Sequence, residues 1–189
     1  MRPFSTLARL ARSRSGAAAI EFTFLLPLLL IFCGIVFETG RIIIYYQRMV
    51  TVVDNTARFA ARFPEFDSRA RSGALLYAQL AGPPSSDTRL DLTLRSAKLN
   101  EGTPQLAFPA YNIMGNAQDV AWQDTMKGSG FLTNEAAIIV SGRYRHQISF
   151  IFLFTREIDL TYVAATNPYF SRDYRYNDGV SDQDYWNAI

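Results

Sequence analysis

The chain is poor in the residues that staple folds or perform chemistry. Its 189 residues include one cysteine and one histidine. A lone Cys33 excludes an intramolecular disulfide and a cysteine metal cluster. His146 has no Cys or second His to share a metal, so it reads as a strand or surface histidine and not as a ligand. No phosphate loop is present: Gly40-Arg41 and Gly128-Ser129-Gly130 lack the Lys-Ser/Thr pair and the helix that phosphate binding requires. Asp87 and Asp91 stand in turn and strand contexts without an acid/base pattern. The arginines of "RYRH" form a short cluster in a strand-like run, and a net charge of +2 is too small a basic excess for nucleic acid. The composition therefore points away from an enzyme, a metal or other cofactor, a small-molecule substrate and a nucleic-acid partner.

Acidic residues are also missing at the start, where Arg2, Arg9, Arg12 and Arg14 precede a strongly apolar run. From Phe22 to Phe37 every residue except Thr23 is apolar, small or Pro. At about 1.5 Å per residue that run covers about 24 Å of a bilayer core about 30 Å thick; counted from Ala17 it covers about 32 Å and spans. The longer count sets Glu21 at the headgroup boundary or just below it, where an ionisable group costs roughly 2.5 to 3.5 kcal/mol at full depth. A basic, Ser-containing leader before an apolar stretch is a targeting signature, and its charges hold the N-terminus in the cytoplasm and the C-terminal part outside, although Arg41, Arg48 and Arg58 follow the span. A conventional cleaved signal peptide does not fit. Glu38-Thr39-Gly40-Arg41-Ile42 follows the run where small residues belong, while Ala17-Ala18-Ala19 lies before it. An uncleaved anchor needs only charge and hydrophobicity and explains neither Gly16 nor Glu21.

The segment Gly16-Ala17-Ala18-Ala19-Ile20-Glu21-Phe22, between a basic leader and an apolar span, resembles the G/xxxxEF processing site of the TadE-like pseudopilins, minor pilins of tight adherence (Flp, Tad) pilus systems and relatives of the type IV pilins. The resemblance continues through "EFTFLLPLLLIFCGIVFETGR" and "TARFAARF", with Phe37-Glu38 standing where many family members have Glu-Phe. It is strong over residues 15–62. "AAIIVSGRYRH" and "IDLTYVAATNPYF" are only loosely similar to the family's C-terminal strands. The resemblance implies that a prepilin peptidase cuts after Gly16 on the cytoplasmic side, making Ala17 the new N-terminus and Glu21 the fifth residue. It further implies a non-enzymatic structural subunit of the inner (cytoplasmic) membrane, extracted into a pilus or its priming complex. Its partners would be the membrane, other pilins and minor pilins, the peptidase and the inner-membrane assembly platform, and the process served would be adhesion. The alternative is an uncleaved, single-pass, membrane-anchored binding module of the cell envelope.

Cleavage would create an α-amino group at Ala17 with a reference pKa of about 7.7 to 8.0. Glu21 lies one helical turn on, its side chain leaning back toward that amine. It can pair with its own amine or with that of a neighbouring subunit, which offsets part of the desolvation cost; by the type IV pilin resemblance the second pairing sets subunit stagger. A carboxylate complementing the helix dipole without any partner is the simpler account. Phe22 completes the Glu-Phe recognition pair. Gly16 permits close approach of a peptidase to the backbone, and Pro27, two turns into the span, removes a backbone hydrogen bond and predicts a kink.

The expected organisation is a leader at 1–16, a membrane-spanning and extended helix at 17–63, a soluble head at 64–166 and a tail at 167–189. The fold class is α+β: a long N-terminal transmembrane helix extending into a small soluble domain with a second helix and an antiparallel sheet. Ile42, Tyr45, Tyr46, Met49, Val53, Thr56, Ala57 and Ala60 share one helical face, and Pro64 is expected to end the rod. Tyr45 and Tyr46 fit either an aromatic belt or packing on the soluble domain. "DSRARSGALLYAQLAGPP" predicts a second helix, capped at Asp67 or Ser68 and stopped by Gly82-Pro83. "RLDLTLRS", alternating Leu90, Leu92 and Leu94, predicts a half-buried strand, and "EAAIIVSGRYRHQ" and "REIDLTYVAA" two more. "ISFIFLF" between them is too short to span and reads as a buried strand, a hairpin end or an exposed apolar patch. Residues 98–134 predict a long loop region with at most short elements. The aromatic and acidic tail fits docking to another subunit or a solvated extension.

Overall fold

The computed structural model describes residues 14–63, 65–66, 68–82, 89–100, 102–107, 110–131, 136–150, 154–169 and 175–176. Most of the leader, Pro64, Asp67, Pro83, Asp87 and most of the tail lie outside the described residues. The chain divides into two compact units, Met1–Ile42 with Ile148–Arg156, and Ile43–Gln147 with Glu157–Ile189.

Helix α1 (Arg14–Ala60) is 47 residues long and runs as α-helix through Pro27. In the first unit its surface is apolar and bare: Phe24 is 79% exposed and Phe37 69%. Among the described residues it is the one helix long and apolar enough to cross a membrane, with a mean hydropathy of 2.5 over its most apolar window. Its few hydroxyls turn inward onto the helix backbone, Thr23 Oγ1 donating to the Ala19 carbonyl and Thr39 Oγ1 to that of Ile35, both at 2.8 Å. Hydroxyls satisfied in this way can enter hydrocarbon without an orphaned donor. The apolar stretch ends at a carboxylate, Glu38, which is buried and accepts from Arg41 Nη1 at 3.1 Å. Cys33 is exposed on the same stretch.

The second unit contains the core. The face of α1 beyond Ile43 buries Met49, Val52, Val53, Thr56, Ala57 and Ala60. Tyr46 is 39% exposed although at 3.6 residues per turn it falls within the buried stripe, whereas Val52 joins that stripe; Tyr46 lies nearly one turn before Met49, where full burial by the sheet begins. Tyr45 packs on the sheet, its ring 5.8 Å from Tyr144 and 5.3 Å from His146. The helix stops at Ala60, before Pro64, and tightens through bonds from the Arg62 and Phe63 amides to the Phe59 and Ala60 carbonyls. Helix α2 (Ser68–Ala81) turns Ala74 and Ala78 into the same core.

Strand β1 (Glu65–Phe66) is short, and the main sheet comprises β2 (Leu90–Asn100), β3 (Thr103–Leu106), β4 (Tyr111–Met114), β5 (Ala136–Phe150) and β6 (Phe154–Thr166). Its order is β3-β2-β5-β6, with β4 also paired to β2. β2 and β5 run antiparallel from Leu90↔Tyr144 to Lys98↔Ala136. Leu90, Leu92, Leu94, Ile138, Val140 and Tyr144 face α1 and α2. Gly142 lies where a Cβ would meet the Val53 side chain, so the absence of one lets α1 settle on β5. The opposite face forms a second core of Ala97, Leu99, Trp122, Met126, Ala137 and Ile139, the third and fourth of these coming from just before and within helix α3 (Gln123–Gly128).

β2 is therefore buried continuously from Leu90 to Ala97 and is not the half-buried strand its alternation predicts. Its polar face is roofed by residues 110–122, as described below. Apart from the end of β2, the loop-like region contains short elements alone, β3, β4 and α3 having six residues or fewer. Of "ISFIFLF", Ile148–Phe150 finish β5 and Phe154 begins β6, while residues 151–153 lie outside the described residues. A separate parallel pair joins β1 to β7 (Arg175–Tyr176). The result is α+β, a long apolar N-terminal helix followed by a second helix and an antiparallel sheet.

Candidate functional site

Two groups of residues stand out, one at the start of α1 and one on the polar face of β2. At the first, Gly16 and Ala17 lie in the opening turn of α1, so the peptide bond between them is helical. Glu21 and Phe22 follow one turn later; Glu21 is exposed and Phe22 is 59% exposed. No acid occupies the first turn as the helix stands. Were the helix to begin at Ala17, Glu21 would lie next to its amino end, where the dipole favours a carboxylate. Pro27, six residues beyond Glu21, has no N–H to give the Thr23 carbonyl, while the Thr23 hydroxyl is already committed to Ala19.

The second group was not legible as a site. Asp91, Thr93 and Arg95 alternate with the core leucines and share the other face of β2, and all three are buried. Arg95 and Thr93 bond directly to the segment that follows β4, and Asp91 reaches it through Arg143. Arg95 donates to Ser141 Oγ at 2.6 Å and to the carbonyls of Ala117 and Gln118 at 3.1 and 2.6 Å. Thr93 Oγ1 donates to Asn112 Oδ1 at 2.8 Å and accepts from the Ala117 amide at 2.9 Å. Asp91 pairs with Arg143 and Arg145 at 3.4 and 3.5 Å, and Arg143 also bonds Asp119 Oδ2 and the Asn116 carbonyl. Gly115 has φ +57, and a Cβ there would strike the Asp91 carboxylate. Only a glycine fits both the backbone and the space.

Arg143 and Asp119 also border an open cleft of about 710 Å³ with Thr125, Asp159 and Thr161. Arg143 and Asp119 already pair with each other, and among the described residues no three His, Cys, Asp or Glu side chains gather as a metal site. The arginines of "RYRH" are thus turned onto carboxylates and a carbonyl of their own chain. The arrangement is a clamp between β2, β5 and residues 112–119. The interleaved Asp-Thr-Arg of "DLTLR" was its one visible sign. His146 is a buried strand histidine, its ring 5.3 Å from that of Tyr45. On the opposite side of the sheet, Tyr162 donates to Asp54 Oδ1 at 3.1 Å; burial first, and then the Asp54 carboxylate, push its phenol above its ordinary pKa.

Residues 16–62, about a quarter of the chain, match the family described as TadE-like protein. The match begins at Gly16 and ends two residues past α1. No curated protein and no solved structure matches the chain.

Proposed function

We propose that this chain is a minor pilin, or pseudopilin, of a tight adherence pilus: a non-enzymatic structural subunit that a prepilin peptidase cuts between Gly16 and Ala17 and that then joins an assembly through its N-terminal helix. The single observation that carries the reading is the coincidence of the TadE-like match with α1, beginning at the glycine where the cut would fall.

The chemistry of the segment supports each step. A peptidase needs an extended backbone, and the scissile bond lies in a frayed position, the first turn of a helix, where hydrogen bonds are fewest. Gly16 lowers helix stability there by about 1 kcal/mol relative to Ala, which favours opening. After the cut, the new amine at Ala17 and the Glu21 carboxylate are one turn apart, and the exposed Glu21 is free to meet the amine of a neighbouring helix. The bare apolar surface of α1 suits first lipid and then the helices of other pilins. In this reading the chain spans the inner membrane once, N-terminus in the cytoplasm, with the residues after the span outside. Its partners are other pilins and minor pilins, the peptidase and the inner-membrane assembly platform, and the assembly serves adhesion.

The deciding experiment is the N-terminal residue and mass of the membrane-bound protein in cells with and without an active prepilin peptidase. Ala17 as the new terminus, dependent on that enzyme, is the expected result. An intact leader in cells with active peptidase refutes it and leaves an uncleaved anchor carrying a binding module.

A further inference from the structure

α1 and α2 enclose a groove of about 510 Å³ on the surface of the second unit. The two helices run antiparallel along it, since Asn55 Nδ2 donates to Tyr77 Oη at 2.6 Å and Phe59 lies against Gly73. Its floor and rim are apolar, formed by Phe59, Leu76 and Leu80, and the two leucines are 57% and 78% exposed. The charged residues lining it are Arg58, in the last turn of α1, and Arg62, in the turn that follows the helix. An exposed apolar groove edged by a single sign of charge calls for an acidic, apolar occupant.

The course of the backbone brings such a segment to the mouth of the groove. The Tyr169 amide donates to the Ala61 carbonyl at 3.0 Å, and β7 lies parallel to β1, Phe66 opposite Tyr176. β1 is the link between the end of α1 and the start of α2, so the chain passes Tyr176 where the two helices are joined. Residues 177–189 read "NDGVSDQDYWNAI", with Asp178, Asp182 and Asp184, no Lys, Arg or His, and the large apolar side chains Tyr185, Trp186 and Ile189. Thirteen residues reach up to about 43 Å when extended, and the stretch of α1 from Arg62 back to Asn55 is about 11 Å.

We infer that residues 177–189 dock in the α1–α2 groove of their own chain. In an extended segment Asp182, Asp184 and Trp186 point to one side, about 6.6 Å apart. Arg58 and Arg62, which is two residues past the end of α1, are about 6 Å apart along the continuation of the helix axis. Entering from the helix junction, the segment meets Arg62 with Asp182 and Arg58 with Asp184, and Trp186 then falls among Leu76 and Leu80. The charge pairs set the register and the aromatic ring supplies the burial.

The test uses the full chain in lipid nanodiscs, with Cys33→Ser removing the native thiol and Leu80→Cys and Ala188→Cys, the latter on the same side as Trp186, introducing a pair for mild oxidation. The expected product is a disulfide within one chain, migrating as a monomer. Arg58→Glu with Arg62→Glu lowers its rate of formation by about tenfold, and Asp182→Lys with Asp184→Lys added to that variant restores it. Because both arginines are exposed, the double variant keeps the parent's circular dichroism and a cooperative unfolding transition, which separates loss of docking from loss of fold. Absence of the disulfide, a rate indifferent to charge reversal, or cross-links found only between differently tagged copies would each overturn the inference.

Discussion

Replacing Arg95 by Met removes a buried guanidinium while keeping most of the side chain's volume. Three hydrogen bonds go with it, to Ser141 Oγ and to the carbonyls of Ala117 and Gln118. Bonds from a charged donor are each worth about 1.5 to 3 kcal/mol. Gln118 is exposed and its carbonyl can recover a bond from water, whereas Ser141 and Ala117 are buried and lose theirs outright. Against this, the folded protein no longer holds a desolvated cation. The balance is a loss of about 2 to 4 kcal/mol. Urea unfolding of the full chain in detergent micelles measures it, and hydrogen exchange locates it: amides of residues 112–120 are expected to exchange faster while those of α1 near Val53 change little. If Arg95→Met is as stable as the parent or more so, the guanidinium costs as much to bury as its bonds return, and the clamp is not what holds the segment.

Four further outcomes are expected. Gly16→Leu leaves the precursor uncut, read as an unchanged mass in cells with active peptidase; a normal cut at Ala17 would remove Gly16 from the mechanism. Glu21→Ala still inserts and is still cleaved but is absent from sheared filaments, and its normal recovery there would eliminate the amine pairing. Gly115→Ala destabilises the fold by about 1 to 3 kcal/mol through its positive φ and the Asp91 overlap, again by urea unfolding; an unchanged midpoint would mean that the loop relaxes freely. The raised pKa of Tyr162 adds stability that is complete below the unfolded value of 10.0 and is lost as pH rises through the higher folded value. Tyr162→Phe should therefore lose less stability than the parent between neutral pH and pH 11, and an identical decline would show that Tyr162 does not titrate with unfolding.

The helix was legible because one signal repeats along it: first an unbroken apolar run, then Met49, Val53, Ala57 and Ala60 at helical spacing. The strands were legible from Leu90, Leu92 and Leu94 and from the β-branched run Ile138 to Val140. What alternation could not convey is what covers the polar side. Asp91, Thr93 and Arg95 have the pattern of a wetted face, and they are buried because residues 110–122, poor in any periodicity, fold back and bond to them. That roof depends on Gly115 at positive φ and on carbonyls, neither of which a hydrophobic pattern registers. Tyr46 failed for a smaller reason: it has the angle of the buried stripe but lies nearly a turn before Met49, where burial begins, and periodicity carries no information on position along the axis. At the N-terminus the motif spoke through residue types at fixed spacing. It carried no geometry, and the helical state of the Gly16–Ala17 bond was not to be read from it.

Cys33, exposed on the apolar stretch and the sole thiol of the sequence, gives the protein a built-in reporter. A water-soluble maleimide reaches a thiol only where water does. While the stretch lies in lipid, the reagent is kept from Cys33. When the same helix leaves the bilayer for a wetter setting, the label should appear. If the chain acts as proposed above, its departure from the membrane can thus be timed on the native sequence with a single covalent tag.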